Sequence, residues 1–372
     1  MLALTRRHLV AALAALTFCL AGAARAEPVT VIDALDRTIT LDLPARRVLL
    51  GLYFEDYMAI GGPDAFDRVV GINKAAWRDW RPDNWLDHIE HDPSLDALPD
   101  IGDVENGSFS PEIVLSLKPD VLVLAEYQYK TLGDEVRAME RAGIPVVVAD
   151  FHTHRLENTL ATIRLLGQIA GSEERALTIA TEYRDALATI RDRIERAGRP
   201  QPPVYLEFGN GGPSSQGITW GPYMWGAMTA SAGGANIAND LVETWGSINP
   251  EQILHARPEV IVVTGSEWKD RPGALRIGHG VGEGEVRSVL RDYQARPGWA
   301  NLPAVRNGRL FALYHGASRT LPDFIATQFL AKAFYPDLFA DLDPAANYRS
   351  FYERYLPIVP EGTFMTGLGE AE

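Results

Sequence analysis

The chain has 372 residues, of which 46% are hydrophobic and 23% are charged, and its formal net charge is −14. This composition is typical of a globular protein, and the length suits two domains. So acidic a chain is not expected to bind nucleic acid through a basic groove. Its single cysteine excludes an internal disulfide.

Residues 1–26 have the pattern of a secretory signal peptide, with a basic pair at Arg6 and Arg7, an apolar stretch and an A-x-A cleavage site at 24–26. Cleavage there removes Cys19 and three arginines, which takes the net charge from −14 to −17. We therefore expect an exported chain without cysteine, which excludes cysteine catalysis and thiolate metal sites; Sec and twin-arginine export both stay open. No later apolar stretch is long enough to span a bilayer.

Strands and helices alternate through the first part of the mature chain. We predict a β-hairpin over 29–41, buried strands at 47–52, 68–72, 121–124 and 144–149, and helices at 54–60, 111–117 and 132–142. This alternation is typical of a parallel sheet with helices on both faces. The segment 73–105 is polar and rich in Trp, Asp and Pro, and we predict a surface excursion over a cleft with little regular structure.

Apolar residues recur at helical spacing from 156 to 197, with an interruption near Gly171-Ser172. We predict one long helix, kinked there, and interpret it as a brace between two lobes because neither sheet has a place for it. The remaining elements are strands at 204–208, 260–263 and 309–313, helices at 223–232, 250–256 and 323–333, loops at 209–217 and 264–285, and a tail with a packed helix and a loose end.

One α-β module occurs twice, 139 residues apart: it opens with Ser110-Pro111-Glu112 in the first copy and with Asn249-Pro250-Glu251 in the second. Serine and asparagine are suitable N-caps, and proline fits the first helical position. The glutamate lies in the first turn, where the helix dipole favours a negative charge. In each copy a second proline ends the helix, and a β-branched run forms a buried strand.

We therefore predict an α/β fold of two lobes, each a mostly parallel sheet with flanking helices, joined by one long bracing helix. The predicted boundaries are an N-terminal lobe over 27–154, an interlobe helix over 155–200 and a C-terminal lobe over 201–372.

Ligands of open parallel sheets bind beyond the carboxyl ends of the strands, and Tyr, His and Trp are concentrated at those ends in this sequence. A concave aromatic pocket with a few polar anchors is the usual form of a small-molecule site. The residues that we predict to line it are Tyr53, Tyr127, His152, Trp220, Trp245, His315 and Arg319. Trp245 is expected on the loop that enters the second module.

Three other kinds of site have weaker signals. A hydrolase or chelatase could use His152, His154 and Glu207, but the Gly-x-Ser-x-Gly nucleophile motif is absent. The two histidines, two positions apart, could also contribute to a zinc or manganese site. The loop that begins at Gly209 lacks the spaced glycines and the lysine of nucleotide-binding loops.

The paired modules, the N-terminal hairpin, the long helix and the segment Gly233-Gly234-Ala235-Asn236-Ile237 together resemble the class III periplasmic substrate-binding proteins. These serve ABC importers of iron–siderophore complexes, haem and cobalamin. The resemblance covers nearly all of 29–340. It implies a monomeric periplasmic protein, not an enzyme and without a cofactor, that captures a ferric siderophore and delivers it to a permease dimer.

The resemblance also implies residue roles. Glu112 and Glu251 match the glutamates that dock on permease arginines, Trp245 matches a ligand-stacking position, and His315 and Arg319 lie on a loop that supplies ligand contacts, with His315 a candidate iron ligand. Cobalamin, haem and a bare metal ion remain alternative ligands, although the first lobe has Asn106, not an aromatic residue, at the position equivalent to Trp245. The segment 73–105 and the extension after about Pro344 depart from the family pattern.

Overall fold

A computed structural model of the protein describes residues 27–369, so the predicted signal peptide over 1–26 lies outside the described residues. The strands are β1 (Glu27–Ile32), β2 (Thr38–Leu43), β3 (Val48–Leu50), β4 (Val69–Ile72), β5 (Val121–Ala125), β6 (Val146–Ala149), β7 (Pro203–Phe208), β8 (Thr219–Trp220), β9 (Ala235–Asn236), β10 (Trp245–Gly246), β11 (Val260–Gly265), β12 (Gly278–His279), β13 (Leu310–Tyr314), β14 (Gly362–Thr363) and β15 (Met365–Gly367). The helices are α1 (Phe54–Gly61), α2 (Pro82–His91), α3 (Pro111–Leu117), α4 (Glu126–Leu132), α5 (Asp134–Arg141), α6 (Leu156–Ala170), α7 (Glu173–Ala197), α8 (Trp225–Ser231), α9 (Pro250–Ala256), α10 (Glu283–Gln294), α11 (Pro303–Arg306), α12 (Asp323–Phe334) and α13 (Pro344–Tyr355).

Two mainly parallel sheets form the centres of two lobes. The N-terminal sheet has the strand order β4-β3-β5-β6, and all its pairings are parallel. The C-terminal sheet has the order β15-β13-β11-β7-β9, and only the edge strand β15 runs antiparallel to its neighbour. The predicted α/β fold of two lobes with mostly parallel sheets is confirmed.

The repeated module has the same local structure in both lobes. The side chain of Ser110 accepts a hydrogen bond from a backbone N–H of α3 at 3.3 Å, and that of Asn249 accepts one from α9 at 2.9 Å. Each helix ends at a left-handed residue, Lys118 with φ 47° and Arg257 with φ 49°. The strands that follow, β5 and β11, are the buried centres of the two sheets.

The brace between the lobes is shorter than the predicted helix over 156–197. Gly171, with φ 66°, ends α6, and α7 begins two residues later. Because glycine adopts the left-handed conformation without steric cost, the chain changes direction there. α6 packs on α1 and the β1–β2 hairpin of the N-terminal lobe, whereas the 25-residue α7 contacts α1 on one side and α8 and α12 on the other. The long bracing helix is therefore α7.

The prediction of little regular structure over 73–105 is wrong. This segment contains a π-helical turn at Ala75–Asp79, the helix α2 and a 3₁₀ turn at Pro93–Ala97. Tertiary contacts order it: Trp77 is completely buried and stacks on Phe54, with ring centroids 5.0 Å apart. Local sequence patterns do not reveal such a contact between distant parts of the chain.

Other predicted irregular stretches are also ordered. The tail forms α13 as predicted, but its loose end is instead β14 and β15, and β15 completes the C-terminal sheet. The predicted loop over 264–285 contains β12 and the start of α10, and the predicted helix over 132–142 is preceded by α4.

Two buried contacts join the lobes beside α7. The Asp56 carboxylate of α1 accepts a hydrogen bond from the backbone N–H of Leu321. His154, which follows β6, lies with its Nδ1 atom 3.1 Å from a carboxylate oxygen of Asp323 in α12. The lobes are therefore in direct polar contact at the side of the cleft that carries the brace.

Candidate functional site

The carboxyl ends of the strands of both sheets border one cleft between the lobes, with a volume of about 700 Å³. Its wall includes all seven predicted ligand-binding residues: Tyr53, Tyr127, His152, Trp220, Trp245, His315 and Arg319. The structure thus brings together residues that are up to 266 positions apart in the sequence. Their contact with a ligand stays a prediction.

Tyr53 and His152 form a buried pair on the N-terminal wall. The Tyr53 hydroxyl accepts a hydrogen bond from the Phe151 N–H at 3.2 Å and lies 2.6 Å from His152 Nδ1. Burial raises the pKa of Tyr53 and lowers the pKa of His152, so both groups are neutral. Because the hydroxyl already accepts from Phe151, we infer that it donates its own proton to Nδ1. The imidazole proton is then on Nε2, which is buried and has no hydrogen-bond partner within residues 27–369.

His315 is oriented in the same way on the C-terminal wall. Its Nδ1 atom accepts a hydrogen bond from Trp225 Nε1–H at 3.0 Å. Because an indole can only donate, the proton of the neutral imidazole is again on Nε2. Burial, with a further contribution from the charge of Arg319, lowers the pKa of His315 and keeps it neutral. In the histidine of each wall, Nε2 therefore carries a proton and has no free lone pair.

The two predicted tryptophans lie side by side at the C-terminal wall. Trp220 is buried and stacks on His315 with ring centroids 5.8 Å apart. Trp245 pairs with Trp220 across the β8–β10 ladder, and 60% of its surface is exposed. Trp245 therefore stands at the rim of the cleft, on a short strand where the sequence predicted a loop.

Two arginines lie over tryptophan rings on the cleft wall. The guanidinium carbon of Arg319 is 4.9 Å from the ring centroid of Trp80, and that of Arg271 is 5.0 Å from the centroid of Trp268. Neither arginine forms an ion pair within residues 27–369. Because an indole face attracts a cation without neutralising it, both charges remain available to an anionic ligand. Glu105 also lines the cleft: burial raises its pKa, and the charge of nearby Arg319 offsets part of that shift.

Several lining residues were not predicted from the sequence. Trp80 and Arg81 come from the segment 73–105, and Trp268 and Arg271 come from the loop after β11. The abundance of Trp in 73–105 was the available signal, because large aromatic residues rarely remain exposed on a surface loop.

His154 and Glu207 do not line the cleft. His154 pairs with Asp323, as described above, and Glu207 is completely buried, with its two oxygens 2.6 and 2.7 Å from the guanidinium nitrogens of Arg296. His152 and His154 thus have separate partners, and the predicted hydrolase or chelatase residues share no site. Within residues 27–369, no group of three or more His, Cys, Asp or Glu side chains could hold a metal ion.

Glu112 and Glu251 occupy equivalent positions in the two copies of the repeated module. Each is exposed in the first turn of its helix, α3 or α9. In the part of the chain that the structure describes, no helix is long and apolar enough to cross a bilayer.

Comparison with known proteins identifies relatives that match most of the chain and one that matches part of it. The family model described as "Periplasmic binding protein" matches residues 48–315. The crystal structure of the TroA-like periplasmic binding protein FepB from Veillonella parvula is 31% identical, with a TM-score of 0.87 over 92% of this chain and 100% of that chain. The molybdate-binding protein MolA of Haemophilus influenzae is 23% identical over 87% of this chain and 90% of its own length. The vitamin B12-binding protein of Yersinia pestis is 30% identical, over 42% of this chain and 52% of its own length.

Proposed function

The chain belongs to the periplasmic binding protein family, whose members serve ABC importers, and we propose that it captures an anionic ferric chelate in the interlobe cleft for delivery to its importer. The observation that carries this proposal is the position of Arg319, which lies over Trp80 in a cleft whose two walls hold the neutral His152 and His315. A charged guanidinium beside two neutral imidazoles attracts a ligand with negatively charged oxygens.

The size and the lining of the cleft support a ligand larger than a simple oxyanion. A volume of about 700 Å³ lies in the range of sites for drug-sized molecules. Molybdate, which the Haemophilus relative binds, is also an anion, but its four oxygens would fill only a small part of this space. Cobalamin, named for the Yersinia relative, is neutral and would not require two unpaired arginines.

The histidine tautomers support a ligand whose iron is already saturated by the chelator. A histidine that ligates iron uses the lone pair of a ring nitrogen. In His152 and His315 the lone pair of Nδ1 is occupied by a hydrogen bond and Nε2 carries the proton. Ligation of a chelated or haem iron by either histidine would require breaking its hydrogen bond, from Trp225 to His315 or from Tyr53 to His152. A complete ferric siderophore requires neither change.

A spectroscopic titration tests this proposal. We expect the visible charge-transfer band of a ferric tris-catecholate to keep its position and intensity when the complex binds, because the protein adds no ligand to iron. Absorption spectra recorded during the titration measure the band. A band shift that the His315→Gln variant abolishes would instead show that His315 enters the iron coordination sphere.

We also propose that Glu112 and Glu251 dock on the permease dimer of the importer and that the protein acts as a monomer. Their exposed carboxylates, 139 residues apart in the sequence, begin equivalent helices on the two lobes. A monomer with one such charge on each lobe is suited to two equivalent sites on a permease dimer.

Replacing both docking glutamates by alanine is expected to leave ligand affinity unchanged and to impair uptake more than either single replacement does. Rim charges mainly guide the encounter and the register of two partners, so their loss affects delivery. Uptake of the radiolabelled ferric complex by cells that express each variant measures the effect, and Glu135→Ala, an exposed acidic residue on α5, is the control. Weaker ligand binding by the folded double variant would contradict this assignment.

A further inference from the structure

The two segments that depart from the family pattern meet in a buried polar network between the lobes. Helix α2 of the segment 73–105 lies on one side of the network, and α13 of the C-terminal extension lies on the other. Residues on both lobes complete it. Its central groups are almost completely shielded from solvent, so each hydrogen bond constrains the elements that it joins; these groups are Glu55, Asn84, His88 and His279.

Glu55 of α1 is the centre of the network. One carboxylate oxygen lies 2.7 Å from Arg81 Nη1, and the other accepts hydrogen bonds from Asn84 at 2.9 Å, His88 at 3.1 Å and the Tyr352 hydroxyl at 3.1 Å. Although burial alone would raise it, the His88 hydrogen bond and the charge of Arg81 lower the pKa of Glu55. One ionised carboxylate therefore joins the N-terminal lobe to both α2 and the C-terminal extension.

Asn84 extends the network to the C-terminal lobe. Its side-chain oxygen accepts the indole N–H of Trp77 at 2.6 Å, and this donor fixes the amide orientation because an indole cannot accept. The amide nitrogen then donates to Glu55 and, at 3.1 Å, to Nε2 of His279. Asn84 is completely buried, and its side-chain oxygen and nitrogen both bond to protein.

His279 anchors the far end of this connection. Because its Nε2 atom accepts from Asn84, its proton is on Nδ1, which lies 2.6 Å from the carboxylate of Asp87 on α2. The His279 ring also packs edge-on against Phe364 of the C-terminal extension, with ring centroids 5.0 Å apart. Helix α2 is thus bonded to His279 of the C-terminal lobe through Asn84 and Asp87, which lie one helical turn apart.

We propose that α2 is a fixed tie between the lobes and that Asn84 is a positioning residue, which holds Trp80 beneath Arg319 and keeps the cleft at one width. Trp80 and Arg81 directly precede α2 and line the cleft, so movement of α2 would move them. The effect of Trp80 on ligand binding rests on the proposed function, whereas the fixed width does not. A preformed cleft would bind its ligand without the free-energy cost of closing.

Interlobe distances measured by pulsed electron paramagnetic resonance test the tie. In the chain that starts at Glu27, which has no native cysteine, Glu135→Cys on α5 and Arg291→Cys on α10 provide one exposed spin-label site on each lobe. We expect one narrow distance distribution that ferric tris-catecholate does not change. Asn84→Ala should broaden it and shift part of it to longer distances, and should weaken binding of the same complex.

Two further variants on the same chain make the result specific. Glu90→Ala changes an exposed residue of α2 outside the network and should behave as wild type. If circular dichroism shows that Asn84→Ala does not fold, Tyr352→Phe, which removes one hydroxyl from Glu55, should broaden the distribution instead. An unchanged distribution in the folded variants, or a ligand-dependent shift in wild type, would overturn the tie. Broadening without any loss of affinity would overturn the positioning of Trp80, and a wild type that binds no tris-catecholate would contradict only the proposed function.

Discussion

Replacing Arg296 by methionine is expected to lower the free energy of unfolding by about 3–5 kcal/mol, because it leaves a buried carboxylate without its counter-charge. Glu207 is completely buried, and besides the two contacts with Arg296 it accepts hydrogen bonds from the Tyr205 hydroxyl at 3.1 Å and the Gly217 N–H at 3.0 Å. These two neutral donors cannot replace the guanidinium charge. Urea unfolding followed by circular dichroism measures the loss.

A surface pair with similar geometry provides the matched control. Arg199 binds both oxygens of Asp337, at 2.8 and 2.5 Å, but both side chains are exposed. Arg199→Met should therefore destabilise the protein much less than Arg296→Met does. Adding Glu207→Leu to Arg296→Met should recover part of the stability by removing the unpaired charge. Equal losses for the two arginine variants would contradict a structural role for the buried pair.

Replacing Arg319 by glutamine is expected to weaken the binding of a ferric tris-catecholate by roughly 30-fold to more than a thousandfold. Removing one partner of a desolvated charge pair costs about 2–5 kcal/mol. Arg319 lines the cleft and forms no ion pair within residues 27–369, although the Glu105 carboxylate is close enough to interact with its charge. Quenching of tryptophan fluorescence measures the affinity, since Trp80, Trp220 and Trp268 line the same cleft. The difference should grow at low salt, because the charges are then less screened.

Two other variants distinguish charge recognition from general contact. Arg164→Gln, an exposed residue of α6 remote from the cleft lining, should leave the affinity unchanged. Trp245→Ala should weaken anionic and neutral ligands alike, by on the order of 2 kcal/mol, because ring stacking does not depend on ligand charge. An affinity of Arg319→Gln within twofold of wild type would show that Arg319 does not face the ligand.

The fold was predictable where local chemistry decides it. The repeated module has an N-cap, a proline at the first helical position and a β-branched strand, and each of these acts within a few residues. The segment 73–105 was not predictable in this way, since its order depends on Trp77 packing against Phe54 and on Asn84 bonding to Glu55 and His279. Such contacts depend on the finished arrangement of both lobes.

The residues of the candidate site were likewise predictable only where a local pattern identifies them. Ligands bind beyond the carboxyl ends of parallel strands, and this rule was sufficient to select Tyr53, His152 and His315. Each of them lies within three residues of the end of a strand. Trp80 and Trp268 lie in segments whose path could not be predicted, so the arginine–tryptophan pairs were not foreseen. For His154 the prediction erred in the other direction, because a residue expected to take part in a site lies outside the cleft. It has a left-handed backbone, with φ 52°, and pairs with Asp323.

We propose that this binding protein selects an anionic ferric chelate, and an affinity panel on the chain that starts at Glu27 can test this claim. The panel comprises a ferric tris-catecholate, its gallium analogue, haemin, cyanocobalamin, molybdate and free ferric ion, each titrated while tryptophan fluorescence is recorded. We expect the ferric and gallium tris-catecholates to bind equally and most tightly, because recognition depends on the charge and shape of the chelate and the protein supplies no ligand to the metal. Tighter binding of cyanocobalamin or of free ferric ion than of either tris-catecholate would contradict the claim.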